Sequence, residues 1–261
     1  MSDLGFDLKG RVALVTGAGS EGGIGFATAR TLGRLGASVV VAATTDRIES
    51  RAETLREEGI EAVSAWGDLV DPTVAAKVVE VAITRFGRLD VLVNNAGMTA
   101  VSDPESPASV ADLSDTDWRS ALDRNLTTAF NVARAGLPPM AARRFGRIVN
   151  VASTSGPVTA YPGDAAYHAA KAGMVGLTRA LAIETAGQGI TANAVAPGWI
   201  ATPSSTEHEL EMGRATPVGR PGTPEEVAAV VAGLALPANA YTTGQVVIVD
   251  GANSISEEKH V

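Results

Sequence analysis

Cysteine is absent from the 261 residues, which excludes disulfides, thiolate nucleophiles and cysteine-ligated metals. Histidine is scarce. His168, His208 and His260 stand far apart, with no spacing that would ligate zinc. Positive charge is in deficit: 21 Lys and Arg face 29 Asp and Glu, a formal net charge of −8. An acidic surface repels nucleic acid and anionic lipid, so neither is an expected partner. No uncharged apolar run nears the ~20 residues of a membrane span. The opening MSDLGFDLKG lacks a basic stretch leading into an apolar one, so no signal peptide is expected either. These absences together fit a cytoplasmic protein.

What is present is a globular composition, 45% hydrophobic and 19% charged. The length suits one α/β domain over residues 1–261, burying roughly three-quarters of its unfolded surface without a covalent staple. Short apolar runs alternate with longer helical patterns. Strands are expected at Arg11–Thr16, Ser38–Ala42, Glu61–Trp66, Val91–Val93, Arg147–Val151, Thr191–Ala196 and Val246–Val249. Helices are expected at Gly25–Leu35, Ile48–Glu58, Thr73–Phe86, Trp118–Ala135, Ala165–Thr185 and Pro224–Leu236. Alternation of this kind implies βαβ units and a parallel sheet. The strands are apolar throughout, as expected where helices cover both faces. Two longer stretches, Thr99–Asp117 and Ile200–Thr223, follow strand C-terminal ends, where such sheets bind ligands.

The first strand runs into Thr16-Gly17-Ala18-Gly19-Ser20-Glu21-Gly22-Gly23-Ile24-Gly25, and a helix follows. Glycines permit a tight turn and close approach of backbone to a pyrophosphate, while the helix N-terminus offers N–H groups and a positive dipole end. No Gly-Lys-Ser/Thr is present, which excludes a P-loop. An acidic residue at the tip of the second strand would bind a ribose 2′-hydroxyl, but Ala43 holds that place. Asp46 falls slightly late and reads as a helix N-cap, with Glu49 completing a capping-box-like pair. A 2′-phosphate is then tolerated, with Thr44, Thr45 and Arg47 as candidate contacts and Glu21 opposing it. NADP is favoured, and NAD stays open.

Tyr167 and Lys171 lie four apart on an expected helix, on one face. A phenol of reference pKa near ~10 is a poor acid–base at neutral pH, and a neighbouring ammonium favours the phenolate. Ser153 ends the strand before them, where a hydroxyl would hydrogen-bond a substrate oxygen; Thr154 and Ser155 are its rivals. Asn125, on the helix begun by Trp118, would hold a water behind Lys171.

The glycine turn, Asn94-Asn95-Ala96-Gly97, Ser153, Tyr167-His168-Ala169-Ala170-Lys171 and Pro197-Gly198 together resemble the short-chain dehydrogenase/reductase family, over about Leu8 to Asn253. The resemblance implies a Rossmann fold with a doubly wound seven-stranded parallel sheet in the order 3-2-1-4-5-6-7. It implies an Asn125–Ser153–Tyr167–Lys171 tetrad that moves a hydride between nicotinamide and a ketone or secondary alcohol. Cofactor contacts then fall to Gly17, Gly19, Ser20, Gly23, Ile24, Gly25, Asp68, Leu69, Asn95, Ala96, Gly97, Tyr167, Lys171, Pro197, Gly198, Ile200 and Thr202. Two residues more than the family's turn precede Gly23-Ile24-Gly25, and the stretch Thr99–Asp117 exceeds the family's shorter form. A homotetramer or homodimer is expected by the same resemblance. So is a carbonyl or 3-oxoacyl thioester as substrate, the latter with Arg143, Arg144 and Arg147 as a candidate basic patch for an acidic carrier. Two other readings remain: a catalytically silent nucleotide-binding regulator on the same fold, and an enoyl reductase, whose Tyr and Lys are spaced more widely in the family.

Overall fold

The computed structural model describes residues 5–97 and 108–257. Seven strands form one sheet: β1 (Val12–Thr16), β2 (Ser38–Ala43), β3 (Ala62–Trp66), β4 (Val91–Asn94), β5 (Gly146–Val151), β6 (Ile190–Pro197) and β7 (Val246–Val249). All are parallel, in the order β3-β2-β1-β4-β5-β6-β7. The order expected from the resemblance is therefore the order found. The chain leaves β1 towards β2 on one side and returns through β4 on the other. The tips of β1 and β4 thus form the topological switch point at which such sheets bind ligands.

Helices α1 (Ile24–Arg34), α2 (Ile48–Glu57) and α8 (Pro224–Ala235) pack on one face of the sheet and α3 (Pro72–Phe86), α5 (Thr128–Ala142) and α6 (Ala165–Thr185) on the other, while α4 (Asp115–Leu122) and α7 (Glu207–Arg214) precede α5 and α8 in the chain. One buried cluster gathers Phe26, Leu32, Ile48 and Val227; another gathers Val78, Leu92, Met140 and Leu181. Alternate residues of β1 divide between them, Val15 to the first and Leu14 to the second, which is why the strand reads as a continuous apolar run.

Helix starts are set locally. Asp71 accepts from Thr73 N–H with Pro72 at the first position, and Ser114 accepts from Asp117 N–H. Thr206 with Glu209, and Thr223 with Glu226, form reciprocal capping boxes on α7 and α8. The helix expected at Trp118–Ala135 is instead α4, a π turn over Asp123–Thr127, and α5. This last helix runs past Pro138 and Pro139 to Ala142. Proline removes a helical donor and normally stops a helix; here burial of Met140 in the core carries α5 beyond the pair.

At the sheet's N-terminal edge, fully buried Asp90 accepts from Arg11, from Nε and Nη2 of Arg88 and from the Val12 N–H. The basic patch expected of Arg147 is not formed. Arg147 is buried, donates to the carbonyls of Gly146, Gly189, Leu236 and Pro237, and lies over Phe145. Burial and then Arg11 lower its pKa. Arg143 and Arg144 donate to Gly87 and Gly187 carbonyls beside the start of β5. They belong to the edge opposite Ser153.

Candidate active site

Tyr167 and Lys171 sit one turn apart near the start of α6, with Lys171 Nζ 5.5 Å from the phenol ring centre. Lys171 is buried, and its ammonium donates to the carbonyl of Val151, the last residue of β5, at 3.1 Å. That bond ties the helix to the strand that delivers Ser153. The Ser153 oxygen accepts from Ser155 N–H at 3.1 Å, which leaves its own O–H to donate elsewhere. Of its rivals, Thr154 is buried with its N–H on the Pro197 carbonyl, and Ser155 bridges Thr159.

Asn125 lies in the π turn, wholly buried. The wider turn bonds Thr128 N–H back to the Asp123 carbonyl, and the Asn125 amide donates to the Ala121 carbonyl at 3.1 Å. A π turn inserts a residue into the helical ladder and so re-aims a side chain. The re-aimed amide meets Gly97: a side-chain carbon there would lie 2.7 Å from Asn125 Oδ1 and 3.3 Å from Lys171 Nζ. Asn125, Lys171 and the Asn-Asn-Ala-Gly segment therefore share one point.

The glycine turn and that segment are stitched together. Thr16 Oγ1 accepts from the N–H groups of Asn95 and Ala96, and the Asn95 amide donates to the carbonyls of Thr16 and Gly17. Gly17 has φ +66°, and a carbon on it would lie 2.8 Å from Ala96 N; one on Gly25 would lie 2.5 Å from the Gly17 carbonyl oxygen. Side chains are excluded from both places, so the backbone stays open to a bulky anionic group. No side chain caps α1, which starts at Ile24 after Gly23, and no acidic residue lies in its first turn. These residues fit a dinucleotide diphosphate. Gly19 abuts Ala43 at the tip of β2, and Ser20 is exposed beside it.

The reading of Asp46 as an N-cap fails. Residue 47, in helical conformation, precedes α2, and no side chain caps it. Glu49 pairs instead with Ser64 and Arg56, which lower its pKa, because β3 lies within its reach. Thr44, Thr45 and Arg47 are exposed, Arg47 Nε reaching the Thr45 hydroxyl at 3.4 Å. Glu21 does not stand alone against a phosphate. Arg51, on α2, pairs with it at 2.7 Å, while Arg51 Nε is buried without a hydrogen-bond partner among the described residues. Nothing in the sequence marked Arg51, since the pair spans 30 positions.

Asp68 accepts from Val70 N–H, and Leu69 is buried. Pro197 closes β6; Gly198 packs against Asp250, and its N–H bonds the Val249 carbonyl. Ile200 bridges Gly222, and the Thr202 hydroxyl meets those of Ser204 and Ser205. The inserted Gly22 touches Pro203, a contact the sequence did not announce. Nor did it single out Tyr161, whose ring lies 4.6 Å from His168 and 6.5 Å from Trp199. Of the stretch Thr99–Asp117, residues 99–107 lie outside the described residues. Among the described residues no cluster of His, Cys, Asp or Glu is built to hold a metal, and no helix is long and apolar enough to cross a membrane.

Residues 17–252 match the family profile described as enoyl-(acyl carrier protein) reductase. The chain is 40% identical to the 3-oxoacyl-(acyl-carrier-protein) reductase FabG of Thermotoga maritima, across 94% of this chain and 98% of that one. It is 39% identical to the cis-4-hydroxycyclohexanecarboxylate dehydrogenase of Sinomonas cyclohexanicum, across 92% and 95%. Among solved structures, one assigned as an NAD(P)-dependent gluconate 5-dehydrogenase from Beutenbergia cavernae, with NADP bound at low occupancy, superposes with a TM-score of 0.87. It is 39% identical, and the match spans 97% of this chain and 100% of that one.

Proposed function

The chain belongs to the short-chain dehydrogenase/reductase family of oxidoreductases, and on that footing we propose that Tyr167 moves the proton as hydride passes between NADP(H) and a ketone or secondary alcohol. The observation that carries this is the buried Lys171 ammonium held beside the Tyr167 ring by the Val151 carbonyl. An ammonium so placed favours the phenolate and brings a phenol within reach of acid–base work near neutral pH.

Each group has a task. Tyr167 Oη gives a proton to the carbonyl oxygen in reduction, or takes it from the alcohol in oxidation. Ser153 Oγ, its lone pair engaged by Ser155 N–H, donates to the same substrate oxygen and so orients it. Asn125 Oδ1 faces the Gly97–Lys171 corner and holds a water through which Lys171 exchanges protons. When bound, the nicotinamide supplies or receives the hydride. The dinucleotide would be held by Gly17, Gly19, Ser20, Gly23, Ile24 and Gly25 at its diphosphate, by Asp68, Leu69, Asn95, Ala96 and Gly97 along its adenosine and ribose, and by Lys171, Pro197, Gly198, Ile200 and Thr202 towards the nicotinamide. NADP is favoured over NAD because Ala43 leaves the β2 tip without a carboxylate, Arg47 and Thr45 are open there, and Arg51 neutralises Glu21.

We read the enzyme as a single domain, a homotetramer or homodimer in the cytoplasm. Half-exposed β7 and the outward Phe130 of α5 and Ile183 of α6 support further subunit contact. The regulator reading has no feature in its favour, since the relatives above are named for catalysis. The direct test is Tyr167→Phe, followed at 340 nm with NADPH or NADH and a panel of ketones. Turnover is expected to fall by about 10³-fold or more with nucleotide affinity nearly unchanged. Undiminished turnover would refute the mechanism.

A further inference from the structure

We infer that the substrate is an uncharged ketone or secondary alcohol with a hydrophobic, ring-sized body, seated on a wall formed by Tyr161 and Trp199. The inference rests on the reading of Tyr167 as proton donor. Tyr161 comes from the segment between β5 and α6, and Trp199 from the segment leaving β6. β5 and β6 are neighbours in the sheet, so both segments emerge side by side at its C-terminal edge. The rings are 6.5 Å apart with planes 32° from parallel, too close to admit a third ring between them; they form one surface. His168, the residue after Tyr167, extends that surface to the proton donor. Its ring stands edge-on to Tyr161 at 4.6 Å and 6.3 Å from Tyr167.

The polar atoms of Tyr161 and His168 are occupied. Tyr161 Oη donates to Asp164 Oδ2 at 2.8 Å, and His168 Nδ1 donates to the Asp164 carbonyl at 2.6 Å, while its Nε2 accepts from Tyr161 N–H. Tyr161 is still 43% exposed. With its hydroxyl engaged, what it presents outward is ring. An exposed aromatic surface beside an acid–base group is a binding face for an apolar ligand body.

Charge supplies the second half of the inference. The carboxylate against Tyr161 is Asp164, the residue that precedes α6, which accepts the phenol's hydrogen bond. Burial first, and then the hydrogen bond to Asp164 and its charge, hold the phenol above its ordinary range. A carboxylate- or phosphate-bearing substrate needs a cation at its recognition point. At this wall it would meet the Asp164 carboxylate instead.

A matched pair of substrates isolates the charge: 4-methylcyclohexanone and 4-oxocyclohexanecarboxylate, with acetone as a ketone too small to reach the wall. We expect kcat/KM for the neutral ring to exceed that for the charged ring by about tenfold or more. Tyr161→Ala should cost the neutral ring about tenfold or more while leaving acetone within about threefold, and Tyr161→Phe, which keeps the ring, should retain the neutral-ring rate. Equal or better use of the carboxylate would overturn the inference and leave the reductase reading standing. So would a Tyr161→Ala enzyme unchanged on the neutral ring, which would mean that the wall carries no substrate. Failure to turn over any of the three ketones would overturn both.

Discussion

At the scale of the residue, chemistry was most legible where spacing alone makes neighbours. Tyr167 and Lys171 share a face because they are one helical turn apart, and the structure puts the ammonium beside the ring. Partners brought together by the fold were not legible. Asp46 lacks the capping role its position suggested, and Glu49 turned to Ser64 and Arg56 on and beside β3. Glu21 found Arg51 across the gap between the glycine turn and α2. This last pair has a consequence for the 2′ position. Glu21→Gln should free the Arg51 guanidinium and raise affinity for NADPH relative to NADH a few-fold, the ~0.5–1 kcal/mol that a solvent-facing pair commands. Arg51→Gln should shift the ratio the other way. Both are read by calorimetric titration of the nucleotide-free protein, without turnover. A loss of NADH affinity in Glu21→Gln would instead make Glu21 a ligand of the 2′-hydroxyl.

At the scale of the element, all seven strands were legible to within a residue, and most helices to within a residue or two, because apolar runs, Pro72, Pro224 and Gly87 punctuate them. The π turn was not legible. Its sequence, Asp123 to Thr127, reads as ordinary helix, and only the packed Asn125 amide shows what the extra residue achieves. The polar stretch after β6, with Glu207, Glu209, Glu211 and Met212, reads as a solvated helix, and α7 is found there, opened by the Thr206–Glu209 capping box. The equivalent box on α8 carries a pH signature. Hydrogen bonds from Arg220, then Thr223 N–H, lower the Glu226 pKa from 4.5 to about 2. A carboxylate whose pKa is depressed on folding contributes stability above its unfolded pKa, and that contribution fades as pH falls from about 4.5 towards 2. Glu226→Gln should therefore lower the melting temperature at pH 7 by a few degrees, about 1 kcal/mol or less given the group's exposure. The difference from the parent protein should shrink steadily on acidification through that window. A difference independent of pH would assign the effect to packing.

At the scale of the whole molecule, the alternation of strand and helix was enough for a parallel sheet, whereas strand order came from resemblance and not from periodicity. The reason is physical: right-handed crossovers limit the topologies but do not say to which side of β1 the chain returns. Contacts between distant loops were beyond reach altogether. Gly22, an inserted residue after β1, rests on Pro203, beyond β6; a carbon on Gly22 would lie 2.8 Å from the Pro203 ring. Three strand junctions separate β1 from β6, so this contact closes a hoop over the tips of β4 and β5. A dinucleotide held at the glycine turn would leave past this contact, and its residence time is then expected to depend on two residues that take no part in the chemistry. Gly22→Ala would force the clasp ajar. Stopped-flow release of NADPH should then quicken several-fold with little change in the rate of capture; an unaltered escape rate would show that the hoop opens freely.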